Sequence, residues 1–322
     1  MQRCARWLGF SCLMLGLAVG SSLAQPDSPT APGPTAKSIE GVIVTAPKTP
    51  PEKILHDFVV SYTAPSPASG KVARWHGGVC PGVTGLPVSW NNSIAARVRE
   101  IASLAGAPVA SEKCRPNIDI VFTKNPQGLL DEVRAVKPWL LGYHDAAREK
   151  QIATVSHAIQ SWYMTQTVDA KGGVFTDDKL RSEGFYLKAR TSSAPVGNTF
   201  QFPNAHVESW SGSRLGDERR SELMHVLVVV DLAKVDGIKL SAIADDVTML
   251  SLAQTASFEV CQPFASITNL TASGCEAQFK TDALSAIDLT YLQALYRIDL
   301  RDSLIEQRGD LAFEMKKSLG GP

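Results

Sequence analysis

Apolar and polar positions follow two distinct periods along this chain, and the switches between them mark its elements. Residues 117–123 place Ile118, Ile120 and Phe122 at every second position, which predicts a strand with one buried face. Residues 158–168, with Trp162 and Tyr163, read as a second strand, and residues 72–75 as a short one. Residues 224–232 are apolar almost throughout, with His225 near the start. That run predicts a central strand covered on both faces.

Helical spacing appears between these runs. Residues 52–60 are α-prone. Residues 93–104 put Ile94, Val98, Ile101 and Ala102 on one face, with Asn92 as the expected N-cap and Gly106 as the stop. Residues 126–135 start at Pro126 and stop before Pro138. Residues 240–252 turn Leu240, Ile243, Ala244, Val247 and Leu250 inward. Adjacent carboxylates on a helix diverge by about 100°, and Asp245 and Asp246 are expected on a solvated face. Two terminal helices follow. Ser285 and Asp288 form a capping box for the first, and Asp302 caps the second. Their apolar stripes are Ile287, Tyr291 and Leu295, then Ile305, Leu311 and Met315.

Strands and helices mix without strict βαβ alternation. The expected fold is a single α+β domain over residues 51–319, with a few-stranded sheet covered by helices. A polar excursion interrupts it at about residues 169–221, within which residues 185–187 and 200–202 are expected to form a hairpin.

The amino-terminal pattern is of another kind. Arg3 and Arg6 precede an apolar core at residues 8–20, and Ser22 and Ala24 supply the small residues that signal peptidase reads. Residues 1–24 are therefore expected to be a signal peptide, with the mature chain starting at Gln25 in the periplasm or outside the cell. Pro26, Pro29, Pro32 and Pro34 make residues 25–38 a disordered Pro-rich linker. Residues 39–46 resemble the short box that outer-membrane receptors offer to the energy-transducing protein of Gram-negative envelopes. Residues 39–50 are read as an extended N-terminal arm.

Composition narrows the partners. Lys+Arg and Asp+Glu both number 32, so the net charge is zero, and removing Arg3 and Arg6 leaves it slightly acidic. Nothing there favours nucleic acid or another polyanion. No later run approaches the roughly 18 apolar residues of a membrane helix, so no transmembrane segment is expected after signal cleavage.

Of the six cysteines, Cys4 and Cys12 leave with the signal. Cys80, Cys114, Cys261 and Cys275 remain, an even number in an exported chain, which implies two disulfides with three possible pairings. The sequence-local pairs, Cys80 with Cys114 and Cys261 with Cys275, are expected. The second closes a loop of about 15 residues, worth roughly 3 kcal/mol of chain entropy. That loop shows little core of its own. No Cys-x-x-Cys spacing and no zinc-finger histidine interval accompany these cysteines.

Catalytic motifs do not emerge. His56, His76, His144, His157, His206 and His225 include no His-Glu-x-x-His, and there is no Gly-x-Ser-x-Gly elbow, Ser-x-x-Lys pair or phosphate loop. His225 reads as a satisfied core histidine and Trp75 as a packed aromatic. No catalytic, cofactor-binding or metal-ligating residue is assigned.

The run Cys114-Arg115-Pro116-Asn117-Ile118 into Val121-Phe122-Thr123, the strand Val228-Val229-Val230-Asp231, and Asp288 … Tyr291-Leu292 … Leu295-Tyr296 resemble uncharacterised exported proteins of Gram-negative bacteria. The strand, helix and late Tyr-Leu-x-x-Leu-Tyr are also similar to exported zinc-peptidase-like proteins. That resemblance implies metal histidines on the helix after the strand. Residues 240–246 hold none, so it implies a shared scaffold without the metal. The expectation is an exported, non-catalytic binding or envelope-associated protein, without cofactor, whose partner is an unknown envelope protein or ligand. The alternative is an envelope hydrolase on a peptidase-like scaffold with unassigned catalytic residues.

Overall fold

The strand β6, Arg220–Asp231, runs through the middle of a mixed six-stranded sheet. The computed structural model describes residues 50–142, 151–177, 218–258 and 260–320. The expected signal peptide, linker and nearly all of the arm lie outside these residues. So do the 185–187/200–202 hairpin, His144 and His206.

The other strands are β1 (Ala73–Arg74), β2 (Pro81–Thr84), β3 (Ile118–Thr123), β4 (Ile159–Val168) and β5 (Val174–Thr176). Their order is β2-β3-β6-β4-β5, with β1 also on β6. The pairs β1–β6, β2–β3 and β3–β6 are parallel, and β4–β6 and β4–β5 are antiparallel. Ile120 sits beside Val228, and Ile159 beside Val230.

Both faces of β6 are covered, as its unbroken apolar run requires. Val226, Val228 and Val230 join Ile118, Ile120 and Phe122 in the main core. That core is shared with helices α1 (Glu52–Tyr62), α2 (Val88–Ala105), α4 (Leu240–Leu252), α5 (Ala286–Leu295) and α6 (Leu304–Ser318). On the opposite face Leu227 and Val229 pack with Trp162, Leu130 and Leu141, under α3 (Pro126–Val136) and a 3-10 turn at Pro138–Leu141. The fold is α+β, and no described helix is long and apolar enough to cross a membrane.

Several local expectations change. Helix α2 begins at Val88 rather than after Asn92. Pro87 precedes it, and its fixed φ suits the helix entry without a side-chain cap. Gly106 ends α2 at φ 86°, a left-handed position that glycine adopts freely. Asn125 caps α3 by accepting from the Gly128 N–H, ahead of Pro126. The capping box at Ser285 and Asp288 is present. The cap of α6 is Ser303, paired with Glu306, and not Asp302; the box needs its acidic residue three positions on, which Ser303 has. Ile305 is 85 % exposed, so the inner stripe of α6 is Leu311, Ala312 and Met315 with the buried Gln307.

The polar excursion is shorter at both ends than the sequence indicates. Asp169 makes a tight turn by accepting from the Lys171 and Gly173 N–H groups, and the chain returns as β5 along β4. At the far end β6 already starts at Arg220. Residues 178–217 lie outside the described set.

Both sequence-local disulfides form. The Cα atoms of Cys80 and Cys114 are 6.1 Å apart, and those of Cys261 and Cys275 are 5.4 Å apart. The loop closed by the second does have a core: Phe264, Ile267, Asn269 and Ala272 are buried. Asn269 organises it. Its Oδ1 accepts from the Gln262 N–H at 2.7 Å, and its Nδ2 donates to the carbonyls of Gln262, Phe264 and Phe279.

Candidate functional site

Every residue of α4 from Ala242 to Leu252 is buried, including Asp245 and Asp246 at 2 % and 5 % exposure. The expectation of a solvated face for the two aspartates is therefore wrong. Helix α4 is enclosed by α2, α5, the sheet and the loop closed by Cys261–Cys275. The missed signal was in the helix itself. Its remaining residues are apolar or small on every face, and a helix apolar all round is a buried one. Two carboxylates inside it had to be paired or unusual.

Asp245 is paired. Arg97 of α2 donates from Nε to Oδ1 at 2.6 Å and from Nη2 to Oδ2 at 3.1 Å, a two-pronged grip. The Leu284 N–H adds a third bond, at 2.7 Å. This carboxylate fastens α2 and the approach to α5 onto α4. The same grip raises the Arg97 guanidinium above its ordinary range.

Asp246, one residue on, faces a different surrounding. Among the described residues no donor and no cation reaches its carboxyl. Burial first, and then the charge of Asp288, push it up to about 8. It thus holds its proton through neutral pH. Asp288 is buried too, but its carboxylate accepts from Ser266 Oγ at 2.5 Å, the Ile267 N–H at 2.8 Å and the Ser285 N–H at 2.9 Å. Burial raises Asp288 as well, against those bonds.

Asp246 lines a recess of about 340 Å³, counting the part open to solvent. Tyr62 of α1, Ile159 of β4 and Leu250 of α4 make its inner wall; Ser257, Phe258, Val260, Thr268 and Thr271 make the rest. The last three belong to the Cys261–Cys275 segment or border it, so the second disulfide ties down one wall. Phe258 packs on the His157 ring, with centroids 5.2 Å apart.

Tyr62 repeats the feature seen at Asp246. It is 3 % exposed, and its hydroxyl has no hydrogen-bond partner. Its ring is fixed by stacking on Phe58 and by an edge contact with Tyr291. Burial pushes the phenol well above its usual range. The neighbouring hydroxyls are satisfied: Tyr291 bonds Thr63 Oγ1 at 2.8 Å, and Tyr163 accepts from Ser161 Oγ at 2.7 Å. Tyr62 and Asp246 thus both line the recess, the first with a buried hydroxyl that has no partner and the second with a carboxyl that no side chain or N–H of the described residues bonds.

The polar cluster around Asp177 is closed. Asp177 accepts from Ser66, Thr165 and Thr167, which pins β5 and the α1–β1 connection to β4. His225 is not the fully satisfied core residue expected. Its Nε2 meets Asp119 Oδ2 at 3.2 Å, its Nδ1 is buried without a partner, and the side chain keeps 16 % exposure. Trp75 is packed as expected, with its indole N–H on the Ser251 carbonyl at 2.8 Å. Among the described residues no group of three or more His, Cys, Asp or Glu side chains is placed to hold a metal ion.

No protein-family model matches this chain, and neither a curated protein nor a solved structure matches it.

Proposed function

We propose that this is an exported envelope protein, periplasmic or secreted, that works by binding a small ligand in the recess around Asp246 and Tyr62. One observation carries the reading. A buried carboxyl and a buried phenol, both without protein partners, line the same recess. An unpaired buried polar group costs roughly 1–3 kcal/mol, and unexplained ones in a native fold call for a cause. A ligand that engages both groups supplies one. The two disulfides and the lack of a membrane-spanning helix among the described residues agree with export.

The test is a fragment screen by amide NMR, using neutral, anionic and cationic compounds of fewer than about ten heavy atoms. Val260 sits at the mouth and is 44 % exposed, so Val260→Trp blocks the entrance without disturbing the core. Compounds are expected to shift the amides of Asp246, Thr268 and Thr271 in the natural protein and not in Val260→Trp. A screen in which no compound distinguishes the two proteins overturns the binding reading.

A further inference from the structure

We infer that the ligand group taken into this recess is a small primary ammonium carried on an aliphatic stem. The inference rests on the binding reading above and names its chemical class.

Four features of the recess favour that class. Once it gives up its proton, the Asp246 carboxylate offers only acceptor oxygens, and the Tyr62 hydroxyl can accept as well as donate. Threonine hydroxyls at 268 and 271 add further acceptor capacity. An ammonium brings three donors and no acceptor, which matches that inventory. The local charge also fits. The titratable groups that act on Asp246 or feel it are Asp288 from α5, Tyr62 from α1 and Tyr163 from β4, and none is a cation. Asp245, its neighbour in α4, is already neutralised by Arg97. An anionic ligand would find no cation among the residues that line the recess.

Size and lining complete the match. The space that water can enter is small, but enough for an ammonium head. The Tyr62 and Phe258 rings offer aromatic surface to a cation. Ile159, Leu250 and Val260 offer apolar surface to a stem.

The inference carries a proton balance. Below about pH 8 the Asp246 carboxyl is protonated, so an entering ammonium displaces that proton to solvent. One proton leaves for each ligand bound, and apparent affinity rises up to about tenfold per pH unit until Asp246 is ionised on its own.

The experiment compares n-butylammonium chloride with butan-1-ol, which has the same number of heavy atoms and no charge. Both are titrated into the oxidised protein, followed by amide NMR and by pH-stat in unbuffered salt near pH 6.5. The ammonium is expected to shift the Asp246, Thr268 and Thr271 amides and to release close to one proton. It should bind Asp246→Asn at least about tenfold more weakly. Equal shifts from both compounds, with no proton released, overturn the ammonium class and leave the binding reading standing. No response to n-butylammonium, together with a recess response to another fragment, does the same. If no compound moves those amides, both readings fall.

Discussion

Arg97 Nε lies 2.6 Å from Asp245 Oδ1, and the two side chains join α2 to α4 through a bond sealed from solvent on the aspartate side only. The Asp245 side chain is 3 % exposed and that of Arg97 34 %. Removing the arginine strands a buried carboxylate that retains only the Leu284 N–H. Arg97→Ala is expected to lower stability by about 2–3 kcal/mol, below the usual cost of breaking a fully buried pair because solvent already reaches the arginine. Arg97→Lys should lose part of that, since lysine cannot make the two-pronged contact. Urea denaturation measures both, and a change under about 0.5 kcal/mol for Arg97→Ala would show that the grip is incidental.

Asp246 makes stability fall as pH rises. Its folded pKa of about 8 lies above the unfolded value near 4, so between those limits the folded state binds a proton that the unfolded state lacks. Stability from this group is fully present below about pH 4, declines through the window, and is flat above about pH 8. Asp177 and Asp288, also raised by burial, act in the same direction. The Asp246 share is isolated by comparison with Asp246→Asn. Between pH 5 and pH 7 the natural protein should lose roughly 3 kcal/mol relative to the variant. Parallel stability curves for the two proteins would refute the assignment.

In the loop of the second disulfide, covalent and hydrogen-bonded order can be separated. Replacing Cys261 and Cys275 by serine should cost about 2–3 kcal/mol, the scale for a closed loop of this length. Asn269→Ala removes an acceptor and donors that serve four backbone groups, and should cost about 3–4 kcal/mol even with the disulfide intact. Thermal melts of the two variants side by side rank the contributions. An Asn269→Ala protein as stable as the parent would mean that the disulfide alone orders the segment.

Val247 is fully buried in α4. Val247→Asp places a charge with no partner in the main core and is expected to cost several kcal/mol or to prevent folding. Unchanged far-ultraviolet circular dichroism and melting temperature would be inconsistent with the packing of α4.

Period-2 alternation in β3 and the unbroken apolar run of β6 made the sheet legible, because both patterns follow directly from which faces are covered. The disulfides were legible from cysteine count and spacing. The recess was not. Asp246 reads as surface when only its own polarity is weighed; the apolar or small residues on every face of α4 signal a buried helix, but not which elements enclose the carboxyl. Tyr62 is 229 positions from Tyr291, its aromatic neighbour in space, and pattern reading over short windows cannot see such a contact. Asp302 failed as a cap because Ser303 beside it has equal cap chemistry and an acid three positions on, and Asn92 because the helix already starts after Pro87, without a side-chain cap.

The place of β6 in the sheet has a consequence for the order in which the chain takes shape. Among the described residues it is the one strand that touches both β3 and β4. A chain synthesised only as far as residue 219 has a parallel β2–β3 pair and an antiparallel β4–β5 pair with nothing to join them. The sheet can close only once Asp231 has emerged, and α4, α5 and α6 arrive later still to cover it. Late closure of this kind leaves the apolar faces of both half-sheets uncovered until most of the chain has been made.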